Sequence, residues 1–238
     1  MDIELQEEKA KMIRAKRTMM WLGVVSIVMM FAGLTSGYVV LQADNYWVKF
    51  DLPNGFWIST AVILASSVTM FLAMRAVRNN KLNEIKYYLL LTLGLGLGFM
   101  GSQSKAWSQL IHQGNFFVGK IGDLKGEYGK DYVIMNQGRQ LNFIDGNFYA
   151  ATDLSLAEPL NEKINHNFNT ASGYLYVLTT LHFVHVLVGI IVLLVVLSNA
   201  YRNKYSSQNP EGMELASIYW HFLDGLWVYL FFFLLFIR

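Results

Sequence analysis

Residues 214–237 read ELASIYWHFLDGLWVYLFFFLLFI. A helix of about 20 mostly apolar residues spans the hydrocarbon core of a bilayer, and this stretch is long enough. Yet it carries Glu214, Ser217, His221 and Asp224 at spacings of 3, 4 and 3. At 100° per residue these four fall within an arc of about 80°, a single polar stripe on a helix otherwise made of Trp, Phe, Leu and Tyr. At 1.5 Å per residue Asp224 lies roughly 13 Å along from Leu215, inside the hydrocarbon layer. A charged group at such depth costs about 2.5–3.5 kcal/mol on insertion scales, so it needs a reason. His221 and Asp224, three residues apart, are expected to share a proton or a hydrogen bond. Packing against other helices is the first expectation for the stripe. Proton transfer and ligand binding are the alternatives.

Four further apolar blocks lie upstream, at about residues 18–42, 55–74, 87–103 and 171–200, with the last at 215–237. The third is expected to be the shortest, and the fourth is long enough to tilt or to extend past the bilayer. The chain has 238 residues, 54% hydrophobic and only 15% charged, with a mean hydropathy of +0.32, which is too apolar for an ordinary soluble domain. The expected fold class is all-α, a polytopic membrane protein of five transmembrane helices. Residues 18–238 make up the membrane domain and residues 1–17 a short amphipathic cytoplasmic helix before it. That leading segment mixes acids and bases, and the apolar run behind it is too long for the core of a signal peptide, so it is read as uncleaved.

A net charge of +2 offers no electrostatic support for nucleic-acid binding. The absence of cysteine excludes disulfides, CxxC redox pairs, c-type haem attachment, iron–sulfur clusters and thiolate metal sites. Orientation follows from Lys and Arg. Lys9, Lys11, Arg14, Lys16 and Arg17 precede the first block, Arg75, Arg78, Lys81 and Lys86 lie between the second and third, and Arg202 and Lys204 between the fourth and fifth. The loop between the first two blocks has only Lys49. The N-terminus is therefore expected inside and the C-terminus outside. The one sizeable extramembrane piece, residues 111–169, then faces the periplasm. Within it, DYVIMNQGRQLNFIDG alternates around an Asn-Gln-Gly turn, as a β-hairpin does. The segment is too small for a substantial core of its own and is expected to lean on a partner.

The fourth block contains TTLHFVHVLVG, which sets His182, His185 and Gly189 on one face and lets a neighbouring helix approach at the glycine. Two histidines three apart on one helix point the same way and cannot clamp one haem between them. His221 lies at a different depth, about 9 Å from the cytoplasmic end against about 21 Å for His185. Histidines hydrogen-bonded within the chain or between subunits are the expectation. The third block reads LGLGLGFMGSQ, with Gly94, Gly98 and Gly101 forming a smooth face and Gln103 near its outer end. Ser26, Gly33 and Gly37 make a small-residue face on the first block. There is no GxxxxGK[ST] loop, no HExxH, and no pair of broken helices of the kind that builds a transporter site.

These motifs resemble a known family. LHFVHVLVG is similar to the histidine-bearing helix of subunit III of the haem–copper oxidases. ELASIYWHFLDGLWVYLF resembles that family's last helix, here with Glu214, Tyr219, Trp220, His221, Phe222, Asp224 and Trp227. STAVILASSVT, residues 59–69, resembles an earlier helix, and Gln103 stands where the five-helix forms place a glutamine. The resemblance covers four of the five helices in the family's order, and it is most like the bacterial five-helix form in cytochrome c oxidases.

The resemblance implies a non-catalytic subunit in the bacterial cytoplasmic membrane, with no cofactor of its own. Haem and copper would sit in partner subunit I and copper in subunit II. The chain would pack chiefly on subunit I, bind structural phospholipids and support proton uptake. Arg202, at the inner interface, and Trp220 are the expected lipid contacts. Two departures stand out: the carboxylates many members carry correspond here to Ile27 and Ala106, so no role of theirs carries over. The long outer segment implies a further contact, with subunit II or another respiratory subunit. A quinol oxidase or a nitric-oxide-reductase-associated relative is the alternative reading, and a stand-alone transporter or scaffold the more distant one.

Overall fold

The computed structural model describes residues 2–44, 46–153 and 155–237. Five long helices dominate: α1 (Asp2–Asp44), α2 (Asn54–Arg78), α3 (Leu82–His112), α5 (Thr170–Tyr201) and α6 (Glu211–Phe236). The short elements are strands β1 (Tyr46–Phe50), β2 (Tyr132–Asn136), β3 (Arg139–Gln140), β4 (Asn142–Ile144) and β5 (Asn147–Tyr149), a 3-10 helix at Ile121–Asp123 and a short α-helix, α4 (Asn161–His166). All five long helices are long and apolar enough to cross a membrane. Their outward side chains include Met29, Val68, Phe71, Leu97 and Val195, each more than half exposed. In water such faces would be a liability; in lipid they are solvated.

The helix bounds correct three expectations. The leading segment is no separate helix, because α1 runs unbroken from Asp2 to Asp44. Nothing in residues 1–17 breaks it: Gly and Pro are absent there, and Ala, Glu, Lys and Arg all favour helix. The third helix is not the shortest, since it continues nine residues past Gln103 to His112. Ser104, Lys105 and Gln109 lower its hydropathy without stopping it, since a helix needs no apolar face in every turn. Consequently the connecting segment starts after His112, slightly later than 111.

The chain divides into two compact units, and each long helix supplies residues to both. The first comprises the chain through Phe31, Ser59–Met100 and His182–Val228. Its core is built from Ile63, Met70, Val77, Leu89, Phe99, Leu193, Trp220 and Trp227. The second comprises Ala32–Ile58, Gly101–Leu181 and the chain from Tyr229.

Within the second unit the loop between α1 and α2 provides β1, which pairs antiparallel with β2 over five residue pairs from Tyr46↔Asn136 to Phe50↔Tyr132. The single hairpin expected from residues 131–146 is thus rearranged. The Gln137–Gly138 turn does form, with φ of 48° and 76°, the left-handed pair a two-residue hairpin turn requires. But β2 meets β3 over only two residue pairs. Leu141 then turns inward, and β4 pairs instead with β5 around a second such turn at Asp145–Gly146.

Val48, Ile121, Ile134, Leu141, Leu160 and Ile164 form one buried cluster, flanked by Tyr128, Tyr132 and Phe148. A small core therefore forms, but the segment does not build it alone: the loop between α1 and α2 contributes Val48 on β1. Asn169 caps α5: its side-chain oxygen accepts from the Ser172 N–H at 3.1 Å, while its amide donates to Asn115. Tyr176 donates to the Asn115 carbonyl at 2.9 Å, which fixes the start of the insert against α5.

Asp153 closes the loop before α4. The Ser155 hydroxyl, together with the N–H groups of Glu158, Ala157 and Ser155, holds its carboxyl below the usual carboxylate range. A depressed pKa stabilises the folded loop above the ordinary carboxylate value of about 4 and loses that effect as pH falls through the folded value. The protection factors of the Ala157 and Glu158 amides, measured against the intrinsic exchange rate at each pH, are expected to hold at neutral pH and to fall only in acid.

Candidate functional site

The polar residues of α6 in the first unit find their partners mainly on α2. The Trp220 indole, 1% exposed, donates to Ser66 Oγ at 3.1 Å. Trp227 donates to Thr60 Oγ1 at 3.0 Å. Ser67 Oγ and His221 Nδ1 are 2.7 Å apart. Thr69 and Thr92 hydroxyls meet at 2.7 Å, joining α2 to α3. The stretch STAVILASSVT is thus a ladder of hydroxyls facing the α6 aromatics and His221. A buried indole N–H requires an acceptor, and each short hydroxyl supplies one without displacing apolar packing.

His182 is fully buried, with Nε2 3.1 Å from the Leu223 carbonyl on α6. A carbonyl only accepts, so Nε2 carries the proton. Its ring packs against Phe99 and Trp227, with centroids 5.6 and 5.0 Å away. Tyr219 donates to the His185 carbonyl at 3.3 Å, and the His185 ring lies edge-on to Phe31. His182 is thus bonded within the chain, while His185 is half-buried. Among the described residues no group of three His, Cys, Asp or Glu gathers as a metal site.

The expected His221–Asp224 pairing is not a hydrogen bond. His221 Nδ1 and Asp224 Oδ2 stand 4.0 Å apart, too far, and Ser67 takes the imidazole nitrogen instead. Asp224 is 3% exposed, and among the described residues neither of its oxygens has a partner of good geometry, although Ser67 lies beside it. Glu214, at the start of the stripe, pairs with Arg17 of α1 at 2.6 Å. Ser217 is buried between them in sequence. The stripe is therefore an ion pair at one end and an underpartnered carboxyl at the other.

Glycine decides how closely these helices approach. A Cβ on Gly189 would meet Leu223 at 3.0 Å and Trp220 at 3.2 Å, in line with its expected role. On α3 the close contact falls elsewhere than expected. Gly94 and Gly101 face open space, and Gly98 has only ordinary contact with Val62, whereas a Cβ on Gly96 would meet the Trp220 ring at 2.9 Å. On α1, Gly33 has nothing near it and Ser26 bonds its own Leu22 carbonyl, while Gly37 in the second unit admits the Tyr174 hydroxyl. The large ring of Trp220 selects the glycines, and sequence spacing cannot report where a distant tryptophan points.

Three other candidates resolve as follows. Trp220 is an inward packing residue, so the interfacial lipid contact expected of it does not match its position. Arg202 is exposed just past the end of α5. Gln103 is buried in the second unit. In that unit Ala106 is fully buried, and a Cβ on Gly55 would lie 2.9 Å from its own, so the α2–α3 approach leaves no room for a longer side chain. Ile27 lines an apolar groove with Val24, Val188 and Leu215. The hydroxyls of Thr60, Ser66 and Ser67 were missed as site residues. Thr60 and Ser67 stand seven residues apart, two helical turns, with Ser66 next to the second, which puts small polar groups on adjacent α2 faces; that is the available signal.

The class this geometry defines is a multi-pass helical membrane protein whose intramembrane polar groups bind helix to helix. The Cytochrome c oxidase subunit III family matches residues 160–237, which hold α5 and α6. The chain is 22% identical over 216 residues to cytochrome c oxidase subunit 3 of Thermostichus vulcanus, covering 87% of this chain and 80% of that protein. It is 24% identical to probable cytochrome c oxidase subunit 3 of Nocardia farcinica, with 93% and 86% covered. It is 23% identical to quinol oxidase subunit 3 of Bacillus spizizenii, with 89% and 81% covered. These matches support the haem–copper oxidase subunit III family as what the chain resembles, most directly over α5 and α6.

Proposed function

We propose that this chain is the non-catalytic subunit III of a proton-pumping cytochrome c oxidase in a bacterial cytoplasmic membrane. The α6 sequence from Glu214 to Trp227 is the observation that carries this reading, since its side chains are spent on contacts between helices rather than on a reacting substrate. The chain packs beside subunit I, which holds the haems and copper, and supports its stability, lipid environment and proton uptake. Subunit II carries further copper. The N-terminus lies in the cytoplasm, and the β-strand unit faces the periplasm, where it touches subunit II or another respiratory subunit. Structural phospholipids surround the helices, with Arg202 as one headgroup contact.

Mild purification through a tag on this chain, followed by a reduced-minus-oxidised spectrum and metal analysis, tests the reading. Haem a and copper with cytochrome c-dependent oxygen uptake are expected. Haem b or o with quinol-dependent uptake would select the quinol oxidase alternative, which the Bacillus relatives keep in view. An intact protein without haem or a large partner would overturn both.

Asp224→Leu separates packing from proton work. If the stripe serves assembly, the variant lowers the yield of intact complex while turnover per haem holds. Normal yield with slowed turnover would instead assign the carboxyl to proton transfer.

A further inference from the structure

We infer that Asp224, Ser67 and His221 form a proton-exchange site inside the membrane, loaded from one end of the helices and closed toward the other. This rests on the chain being a membrane-spanning subunit, and it names a place on this chain where a proton is held and released. Asp224 is 3% exposed, and among the described residues neither carboxyl oxygen has a hydrogen-bond partner. The one basic group at ion-pair distance among them is His221, with Nδ1 4.0 Å from Oδ2. A buried carboxyl kept for packing is ordinarily satisfied by hydrogen bonds. This one is not, and an unpaired charge in hydrocarbon is costly, so a proton is the partner its surroundings leave for it. The polar stripe ends here, because Val228 and Phe231, next on the same face of α6, are apolar.

The way in runs through Ser67 and His221. Ser67 lies beside the carboxyl, and its Oγ is 2.7 Å from His221 Nδ1. A hydroxyl both donates and accepts, so it can take a proton from the ring while giving its own to the carboxylate. Hydroxyl and carboxyl both lie at Nδ1, unlike a hydrolytic Ser-His-Asp set, where they use opposite ring nitrogens. Nε2 is thus left for water. His221 is half-buried and, with Ser217, lines a groove of about 710 Å³ in the first unit. Arg17, Arg75, Arg78 and Glu214 stand around the same groove, and Glu214 is committed to Arg17 at 2.6 Å. On the α5 side, His182 is engaged by the Leu223 carbonyl. His221 is therefore the group placed to relay a proton between groove water and Asp224. By the Lys and Arg distribution this end of the helices is cytoplasmic. A proton taken from water at Nε2 makes the imidazolium. Its Nδ1 proton passes to Ser67 Oγ as Ser67 passes its own to the carboxylate. The ring is left neutral, protonated at Nε2, and the carboxyl is left as the acid; the reverse sequence returns the proton.

The test uses the intact tagged complex in nanodiscs, with infrared spectra taken in H2O and after transfer to D2O. The wild-type-minus-D224N difference is expected to isolate one carboxylic C=O band. Should D224N fail to assemble, D224E serves, since it moves the band instead of removing it. In the wild type the band is expected to shift on transfer, as O–H becomes O–D. S67A and H221Q are each expected to slow that shift by about a hundredfold, the lower end of what a positioned proton-transfer group contributes. A missing carboxylic band, a band that never shifts, or one that shifts as fast in S67A and H221Q would overturn the inference. Haem and oxygen uptake are recorded on the same preparations. A haem-free preparation with the expected shifts would refute the oxidase reading and leave the exchange site standing.

Discussion

Trp220→Ala is expected to destabilise the first unit by about 3–5 kcal/mol, the usual cost of removing a fully buried large aromatic. The indole is 1% exposed and lies against Gly96, Gly189 and Ser66, so its removal opens a cavity bordered by α2, α3 and α5. None of those glycines has a side chain that can rotate into the gap. Ser66→Ala keeps the ring but leaves its buried N–H without this acceptor, and is expected to cost about 1–3 kcal/mol. Thermal unfolding of the detergent-purified protein, followed by tryptophan fluorescence, separates the two. Equal small losses in both variants would mean that the ring is not the keystone its contacts indicate. The same argument explains why Gly96 outranks Gly94, Gly98 and Gly101: only it borders the tryptophan.

The second large effect is expected from Ile134→Asp. Ile134 is buried with Val48, Leu141 and Ile164 at the centre of the small core. An unpaired carboxylate there costs about 3–5 kcal/mol, or stays protonated at comparable cost. That is enough to unfold a cluster of six side chains. Limited proteolysis is expected to cut the variant between residues 113 and 169 while the five long helices survive, because the cluster draws nothing from α2, α3 or α6. If the folded strand unit mediates contact with another subunit, the variant also loses that subunit on mild purification. Retention of every partner by the proteolysed variant would count against the proposed outer contact.

Five membrane-spanning helices could be read from the sequence because hydropathy is a local property: each block carries its own signal, whatever surrounds it. A close approach at Gly189 could be read as well, since a glycine on a helix face admits a neighbouring side chain. The bounds at Asp2 and His112 were not, because helices extend through polar residues whenever the backbone bonds continue. Asp224 could be placed on the α6 stripe by counting residues, but its 4.0 Å separation from His221 and the insertion of Ser67 depend on how α2 lies against α6. β1 was the least accessible feature. YWVKF has five residues in a short loop, and its partner strand begins more than eighty positions later. Pairing across that distance is chosen by the shared burial of Val48 and Ile134, and no local window of sequence contains both. Residue type and spacing thus set which segments are helical and which faces are polar. Contacts between distant segments set which glycine is crowded, which hydroxyl takes the imidazole, and which loop completes the sheet.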